Sequence, residues 1–336
     1  MKPDIKMYIL TAVMVFALYG FFTLLLNVGI LNHFHRGLLI VICVNVMLAV
    51  SLNLSAGFLG QLVLGHAAFM AIGAYAAAIF SMQMGVSTPW GLIVSLIFGG
   101  IVAAFFGVAI GIPALRLRGD YLAIITLGFG QIVQSIVLNM NITGGPMGLV
   151  GIPRTTNFTI AFFGMAVTIA MLVSLIRSRH GRAMIAIRED EIAAEASGIS
   201  TTYYKIFGFT VAAFFAGVAG GIMAHHITIL MPHDSGIERS IELLVIVVLG
   251  GMGSFTGAVT AAVVLTLLPE LLREFATYRM LIYSVILIVM MVYRPQGLLG
   301  SYEFSLQYVV SKLTGGRVGG QAGGQANGQA GGNNTK

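Results

Sequence analysis

The sequence predicts an all-α integral membrane protein that crosses the lipid bilayer many times. Residues 37 to 115 contain no Asp, Glu, Lys or Arg, and a helix needs only about 20 apolar residues to cross the hydrocarbon core. Hydrophobic residues make up 57% of the whole chain and charged residues only 9%. No segment is left that could form a separate soluble domain with its own core.

Apolar runs of membrane length follow one another along the chain, and together they predict about 8–10 transmembrane or re-entrant helices. The runs lie at 7–31, 37–56, 62–82, 90–114, 121–139, 158–176 and 206–226, with two further runs at 240–268 and 278–293. The first run is too long for the apolar region of a signal peptide, so we interpret it as a retained helix.

The positively charged residues indicate the orientation of these helices. If the N-terminus is cytoplasmic, Arg116 and Arg118 are cytoplasmic after four crossings, as the positive-inside rule requires. The run at 240–268 is interrupted by four glycines, each of which destabilises a helix by about 1 kcal/mol relative to alanine. We therefore predict two half-helices that enter from outside, turn near mid-membrane and return. The alternative is one long tilted helix with glycine packing faces.

An earlier stretch, SAGFLGQLVLGHAAFMAIGAY, contains a similar series of glycines at Gly57, Gly60, Gly65 and Gly73. Two glycine-interrupted segments in the two halves of a transporter are typical of an internal repeat around the transport pathway. The sequence therefore allows an internal repeat. A chance match is the alternative, because the chain has 43 glycines.

Residues 177–205 form an island of charge between two long uncharged runs. This segment, RSRHGRAMIAIREDEIAAEASGISTTYYK, holds 9 of the 30 formally charged residues. It opens with basic residues and continues as an amphipathic helical pattern, which is typical of a cytosolic segment that couples a permease to a partner. The alternative is an amphipathic loop that rests on the lipid surface.

Six motifs occur in order along the membrane part. They are LNLSAGFLGQLVLGHAAF (52–69), LRLRGDYLAIITLGFGQI (115–132), TGGPMGLVGIP (143–153), GRAMIAIREDEIAAEASGI (181–199), LVIVVLGGMGSFTGA (244–258) and YRPQGLLG (293–300). Together they resemble the LivM-type permease subunit of branched-chain amino acid ABC importers. The resemblance covers residues of about 37–300, which is essentially the whole membrane part.

The resemblance implies an importer of the bacterial cytoplasmic (inner) membrane with a second homologous permease subunit, two cytosolic ABC ATPases and a periplasmic or extracytoplasmic binding protein. Residues 1–313 would form the permease domain, including the coupling loop 177–205. Residues 314–336, which are rich in Gly, Gln and Asn, would form a disordered tail. The chain has no G-x-x-x-x-G-K-[ST] phosphate loop, so ATP and magnesium would bind to the partner ATPases. The chain itself would be a transport subunit in membrane lipid, with no catalytic residue, cofactor or nucleic-acid partner.

Permeases of this kind carry an EAA-type loop, a cytosolic helix that docks in a cleft of the ATPase. Ala193, Ala194 and Gly198 match this pattern, whereas Ile192 stands where the general pattern has Glu. Small residues let the partner approach closely, isoleucines supply apolar contacts, and Gly198 suits a helix C-cap. The candidate ATPase-coupling residues are Ile185, Ile187, Glu191, Ile192, Ala193, Ala194, Glu195 and Gly198.

The candidates for the translocation pathway lie in and beside the two glycine-rich breaks. They are Gln61, Gly65, His66, Glu242, Gly250 and Gly253. The charged ends of an amino acid cannot cross hydrocarbon unpaired, and broken helices expose backbone groups that can pair with them. As alternatives, Gln61 and His66 satisfy neighbouring backbone groups, and Glu242 favours only the positive end of a helix dipole.

Other polar residues have simpler interpretations. Residues 225–234 contain three histidines and Asp234, but without regular ligand spacing, so we predict a wet membrane interface and no metal site. The loop 139–157 is punctuated by Gly and Pro and is expected to be folded on the periplasmic side. With Arg154 it is a candidate docking surface for a binding protein, and structural packing is the alternative.

Three other functions compete with the import of branched-chain or other hydrophobic amino acids. A secondary transporter also has broken helices, but it would not need a cytosolic coupling helix. An intramembrane enzyme would need a nucleophile with a base or a metal cluster, and the sequence offers neither. An importer of urea or short amides shares the permease motifs, so the sequence does not choose between these substrates.

Overall fold

The computed structural model describes residues 5–29, 32–85, 88–114, 120–275, 278–293 and Gly297, and within them the chain is almost entirely helical. Its helices are α1 (Ile5–Asn27), α2 (His33–Asn53), α3 (His66–Gln83), α4 (Pro89–Ala114), α5 (Asp120–Asn139), α6 (Phe158–Arg177), α7 (Arg179–Glu189), α8 (Glu191–Ala196), α9 (Thr201–Ile227), α10 (Ile237–Gly250), α11 (Phe255–Leu271) and α12 (Arg279–Tyr293). Two short strands, β1 (Leu149–Val150) and β2 (Ile229–Leu230), pair antiparallel. Because the described residues are almost all helical, the predicted all-α fold class is confirmed.

Six helical stretches among the described residues are long and apolar enough to cross a membrane. They are Phe34–Phe58, His66–Gln83, Pro89–Ala114, Tyr121–Asn139, Phe158–Arg177 and Thr201–Ile227. Shorter apolar stretches are Val13–Leu26, Phe255–Leu271 and Leu281–Met290. The protein is therefore a multi-pass membrane protein. The predicted cytoplasmic Arg116 and Arg118, and the predicted disordered tail 314–336, lie outside the described residues.

The chain divides into two units. One consists of Met1–Leu18 with Phe304–Lys336, and its described residues form the first part of α1. The other consists of Tyr19–Glu303 and contains all the remaining helices. In this larger unit, Tyr19 lies against the N-terminal turn of α6, where its hydroxyl is 2.9 Å from Oγ1 of Thr159.

The core of the larger unit is formed where α3, α4 and α9 cross at small residues. A Cβ atom added to Gly73 in α3 would collide with Gly217 in α9, and one added to Gly217 would lie 2.6 Å from the Cβ of Ala103 in α4. Membrane helices associate through such close contacts because lipid gives them no hydrophobic driving force. The glycines of α9 are therefore packing residues.

We expect Gly217→Leu to destabilise the protein by about 1–3 kcal/mol, because the added side chain has no space between α3 and α4. The thermal unfolding temperature of the detergent-purified protein measures this loss. Gly128→Leu in α5 is the matched control, since a Cβ there would meet no atom within 4 Å. Equal unfolding temperatures of the two variants would contradict the packing described here.

Contacts at the helix ends establish the direction of the first helices. Gly37, near the start of α2, lies against His226 at the end of α9. Ser81, near the end of α3, lies 2.8 Å from Nε2 of His225, also at the end of α9. The turn Leu54–Phe58, which follows α2, contacts α7. Thus α2 runs toward the end of the bundle that carries α7 and α8, called here the coupling end, and α3 runs back.

Helices α10 and α11 form a hairpin along α2. Asn45 of α2 accepts a hydrogen bond from Arg239 near the start of α10 and donates one to Thr266 near the end of α11, at 2.6 and 2.9 Å. Asn53, eight residues later and about 12 Å further along α2, donates to the carbonyl of Ser254 in the connection between them, at 2.8 Å. The two helices therefore reverse direction, and a single tilted helix over 240–268 is excluded.

The depth of the turn differs from the sequence-based expectation, which places it near mid-membrane. The connection 251–254 lies at the last residue of α2, beside α7, and so at the coupling end. The physical reason is that the side-chain amide of Asn53 bonds to both Gly253 and Ser254, which holds the connection against the last turn of α2. The hairpin therefore reaches the predicted cytoplasmic side.

Candidate functional site

Two interruptions of the helices face each other at the coupling end. The first follows α2, where the chain forms a π-helical turn over Leu54–Phe58 and then continues without helix to Gly65. The second is the connection 251–254 between α10 and α11. Such π-helical turns occur frequently at functional sites. The two interruptions are therefore a candidate functional site.

Asn53 joins the two interruptions through its side-chain amide. Its Nδ2 donates to the carbonyl oxygen of Ser254 at 2.8 Å, and its Oδ1 accepts from the backbone N–H of Gly253 at 2.9 Å. The backbone is so close here that a Cβ on Gly57 would collide with both Asn53 and Gly253. Buried backbone groups need such partners in a membrane protein, so Asn53 stabilises the second interruption.

Arg188, near the end of α7, completes this cluster. Its Nη1 donates to the carbonyl oxygen of Gly57 at 3.0 Å, and a Cβ on Gly253 would lie 2.9 Å from the same nitrogen. The arginine side chain also forms an ion pair with the adjacent Glu189. We call the cluster of Asn53, Gly57, Arg188, Gly253 and Ser254 the break junction. It brings one charged side chain of the predicted coupling segment against both interruptions.

The coupling segment itself is a pair of short helices with well-formed ends. Asp190 caps α8, because its carboxylate accepts from the backbone N–H groups of Ile192 and Ala193 at 2.9 and 3.0 Å. At the other end Gly198 adopts a left-handed conformation with φ of 82°. The N–H of Ile199 then bonds to the carbonyl of the third-last helical residue, which is a Schellman motif. Gly198 is therefore a helix C-cap, as predicted.

An ion pair anchors α8 to the membrane part. Nζ of Lys205 in α9 lies 2.7 Å from the carboxylate of Glu191, and the lysine side chain is only 8% exposed. A buried charge needs such a partner. Together with the cap at Asp190 and the C-cap at Gly198, this pair gives α8 a fixed position on α9.

The coupling candidates divide between the two faces of this segment. Ile187 and Ala194 are buried within the protein, so their side chains hold the segment in place and present no surface to a partner. This finding corrects the apolar docking contact expected of Ile187 and the close approach of a partner expected at Ala194. Ile192 is 71% exposed. The exposed face also contains Ala193, Glu195 and Gly198, and the half-buried residues are Ile185 and Glu191. This small exposed face is the part that a partner can contact.

We expect Gly198→Val to weaken the binding of the ATPase that the resemblance to permeases implies, because a β-branched residue disfavours the left-handed conformation by about 1–2 kcal/mol. Gly198→Asn is the matched control, since asparagine tolerates this conformation. Cross-linking of a cysteine at Ala193 to the ATPase, in a Cys43→Ala background, measures docking. Equal cross-linking in both variants would argue that the cap is dispensable.

The pathway candidates do not form one cluster. Gln61 is buried, and its Oε1 accepts no hydrogen bond in the described part of the chain. A Cβ on Gly65 would collide with the backbone of Thr126, so this glycine allows α3 and α5 to pack. Nε2 of His66 lies 2.9 Å from Oγ of Ser51. His66 is thus a buried, satisfied residue at the start of α3.

The remaining candidates lie on the α10–α11 hairpin. Gly250 packs directly against Gly257, where the two helices cross, and Gly253 belongs to the break junction. Glu242 forms a 2.6 Å ion pair with Arg239, one turn earlier on α10. The carboxylate of Glu242 is therefore paired within its own helix, and it is not an isolated charge at a helix terminus.

Sequence reasoning missed three residues of this region, Asn53, Arg188 and Arg239. Their contacts join helices that are far apart in the chain, as in the bonds from Asn53 to Ser254 and from Arg188 to Gly57. One signal was available for Arg239, because its spacing of three residues from Glu242 places both side chains on one helix face.

The histidines at 225–233 and the loop 139–157 lie at the end of the bundle opposite to the coupling end. His225 is buried and bonded to Ser81 and to the carbonyl of Gly221. Among the described residues, no three His, Cys, Asp or Glu side chains are grouped to hold a metal ion. The loop 139–157 is folded, as predicted, into short 3₁₀ turns and β1, and Arg154 is exposed on it.

Comparisons with known proteins agree with the resemblance to permease subunits. Residues 34–293 match the family described as "Branched-chain amino acid transport system / permease component". The chain is 40% identical to the high-affinity branched-chain amino acid transport system permease protein LivM of Salmonella typhimurium, over 76% of this chain and 67% of that protein. LivM of Escherichia coli is 38% identical, over 76% of this chain and 67% of that protein. LivH of the same organism is 26% identical, over 76% of this chain and 91% of that protein. No solved structure matches the chain.

The family match covers most of the chain and includes both helix interruptions and the coupling segment. The described helices, six of which are long and apolar enough to cross a membrane, agree with a transport component. The chain therefore belongs to the permease component family of branched-chain amino acid transport systems.

Proposed function

We propose that this chain is one of two different permease subunits in an ATP-driven, binding-protein-dependent importer of branched-chain or other hydrophobic amino acids. Two cytosolic ABC ATPases would bind ATP and magnesium, and an extracytoplasmic binding protein would deliver the substrate. The membrane would be the bacterial cytoplasmic membrane. The similarity to both LivM and LivH supports a heterodimeric permease core.

The observation that carries the proposal is the connection between α8 and the break junction. The exposed face with Ile192 is fixed to the protein by the Asp190 cap and the Lys205–Glu191 ion pair. One helix earlier, Arg188 contacts Gly57 and lies against Gly253. A movement of a docked ATPase would therefore act on both helix interruptions through a single side chain.

This connection also supports an importer over a secondary transporter. A carrier driven by an ion gradient has no partner to dock on an exposed, capped helix at the membrane surface. Opening and closing of the pathway would instead follow the position of α7 and α8. Interruptions of helices are suitable for such a change because the hydrogen-bond ladder is already broken there.

Reconstitution of the complete complex tests the proposal. Proteoliposomes would contain this chain, its partner permease and the ATPases, with the binding protein outside and ATP inside. We expect uptake of radiolabelled leucine that depends on ATP and on the binding protein, and no uptake by this chain alone. Uptake of urea or acetamide in place of leucine would support the short-amide alternative, and leucine uptake without ATP would contradict the proposal.

A further inference from the structure

A network of polar side chains lies halfway along α2, away from the break junction. Nη1 and Nη2 of Arg239 donate to Glu242 and Asn45, both at 2.6 Å. Asn45 in turn donates to Thr266 at 2.9 Å. Asn45 is the twelfth residue of the membrane-spanning stretch Phe34–Phe58, so the network lies near the middle of the membrane.

The two charged side chains of the network differ in exposure. The Arg239 side chain is 19% exposed and the Glu242 side chain 47%. Only Oε2 of Glu242 accepts a hydrogen bond from the described residues. A carboxylate at this depth is strongly disfavoured against lipid, and charged residues within membrane helices usually face a water-filled cavity or another helix. The exposed part of the Glu242 carboxylate therefore faces a polar translocation pathway or the surface of another protein subunit.

An amino acid has the same two charges at its polar end. Its carboxylate matches the guanidinium of Arg239, and its ammonium group matches the carboxylate of Glu242. An aliphatic side chain needs only apolar contacts. An ion pair on the protein can thus be exchanged for two ion pairs with a zwitterion, without leaving any charge unpaired in the membrane.

We propose that Arg239 and Glu242 form a transit site that binds the carboxylate and the ammonium group of the transported amino acid. Asn45 is a positioning residue, because its bond to Nη2 holds the guanidinium while Nη1 changes partner. This inference rests on the proposed function. It assigns the passage of the zwitterion to the face of α10 and leaves the coupling movement to the break junction.

The test uses the complete importer in proteoliposomes, with leucine uptake and ATP hydrolysis measured in the same vesicles. We expect Glu242→Gln and Arg239→Gln to lower the amount of leucine transported per ATP about tenfold, which corresponds to the loss of one charged hydrogen bond. Glu242→Asp should retain part of the uptake. The matched control is Glu238→Gln, one turn earlier on α10 with a side chain that is 90% exposed, and it should behave as the wild type.

Assembly of the complex, measured by size-exclusion chromatography, separates the two possible roles of this face. Normal assembly with reduced uptake supports the transit site. Loss of assembly together with uptake would show that the pair joins the two permeases, and normal uptake in both variants would also overturn the inference. Failure of the wild-type complex to transport any amino acid would instead overturn the proposed function, and this inference with it.

Discussion

Arg188→Ala is expected to abolish most of the ATP-driven uptake while the complex still assembles. The side chain of Arg188 in α7 contacts the first interruption at Gly57 and lies against the second at Gly253. A hydrogen bond from a charged group contributes about 1.5–3 kcal/mol, so its loss should lower the uptake rate by roughly tenfold or more. ATP hydrolysis should continue, because the exposed face of α8 is unchanged.

The ratio of leucine transported to ATP hydrolysed in proteoliposomes measures this uncoupling. Arg188→Lys should retain part of the uptake, because it keeps the charge but not the planar group. Arg182→Ala is the matched control on the same helix, since Arg182 is exposed and its hydrogen bond goes to the nearby carbonyl of Arg177. Equal ratios in Arg188→Ala and Arg182→Ala would show that α7 does not transmit the movement.

Gly57→Ala should have the second large effect. The added methyl group would collide with the backbone nitrogen of Gly253 and with the side chain of Asn53. The two interruptions must then separate, and the hydrogen bond from Gly253 to Asn53 lengthens or breaks. Overpacking of this kind typically costs about 1–3 kcal/mol. We expect the unfolding temperature and the uptake rate to fall together.

Gly130→Ala in α5 is the control for this change. A Cβ there would lie 3.9 Å from its nearest neighbour, Gly65, which is an ordinary contact distance. Thermal unfolding of the purified complex and leucine uptake should both remain close to the wild type in this control. Normal uptake in Gly57→Ala would indicate that the two interruptions do not need to touch.

Much of the fold could be predicted from the sequence, because lipid imposes simple rules on composition and helix length. Glycines at 57–65 and 250–257 identified both interruptions. The pattern that follows Asp190 identified α8 with its C-cap at Gly198, since caps depend on neighbouring residues alone. These features are local in the chain, and a single sequence is sufficient to find them.

The parts that could not be predicted depend on contacts between distant residues. The bonds from Arg188 to Gly57 and from Arg239 to Asn45 span 131 and 194 positions of the chain. Ile187 is buried and Ile192 is exposed, although both are isoleucines of the same segment. Their roles therefore depend on the helix face on which each lies. Periodicity alone does not establish which neighbour covers a helix face.

Disulfide trapping can establish whether the coupling segment is seated on the helix interruptions. A Cβ on Gly60 would lie 3.5 Å from the Cβ of Arg188, which is within the range for a disulfide of about 3.5–4.5 Å. The cysteine pair would be introduced at these two positions with Cys43 replaced by alanine. A pair at Gly60 and Gly198 is the control, because a Cβ on Gly198 would meet no atom within 4 Å.

The measurement is the yield of the linked peptides by mass spectrometry, after mild oxidation of the complete complex in membranes. Gly60 has a φ of 72°, which strains a cysteine at this position. We expect the pair at Gly60 and Arg188 to link in a substantial fraction of the complexes and the pair at Gly60 and Gly198 not to link. Absence of linkage between Gly60 and Arg188, or equal linkage of the control pair, would show that the coupling segment does not lie on the first interruption.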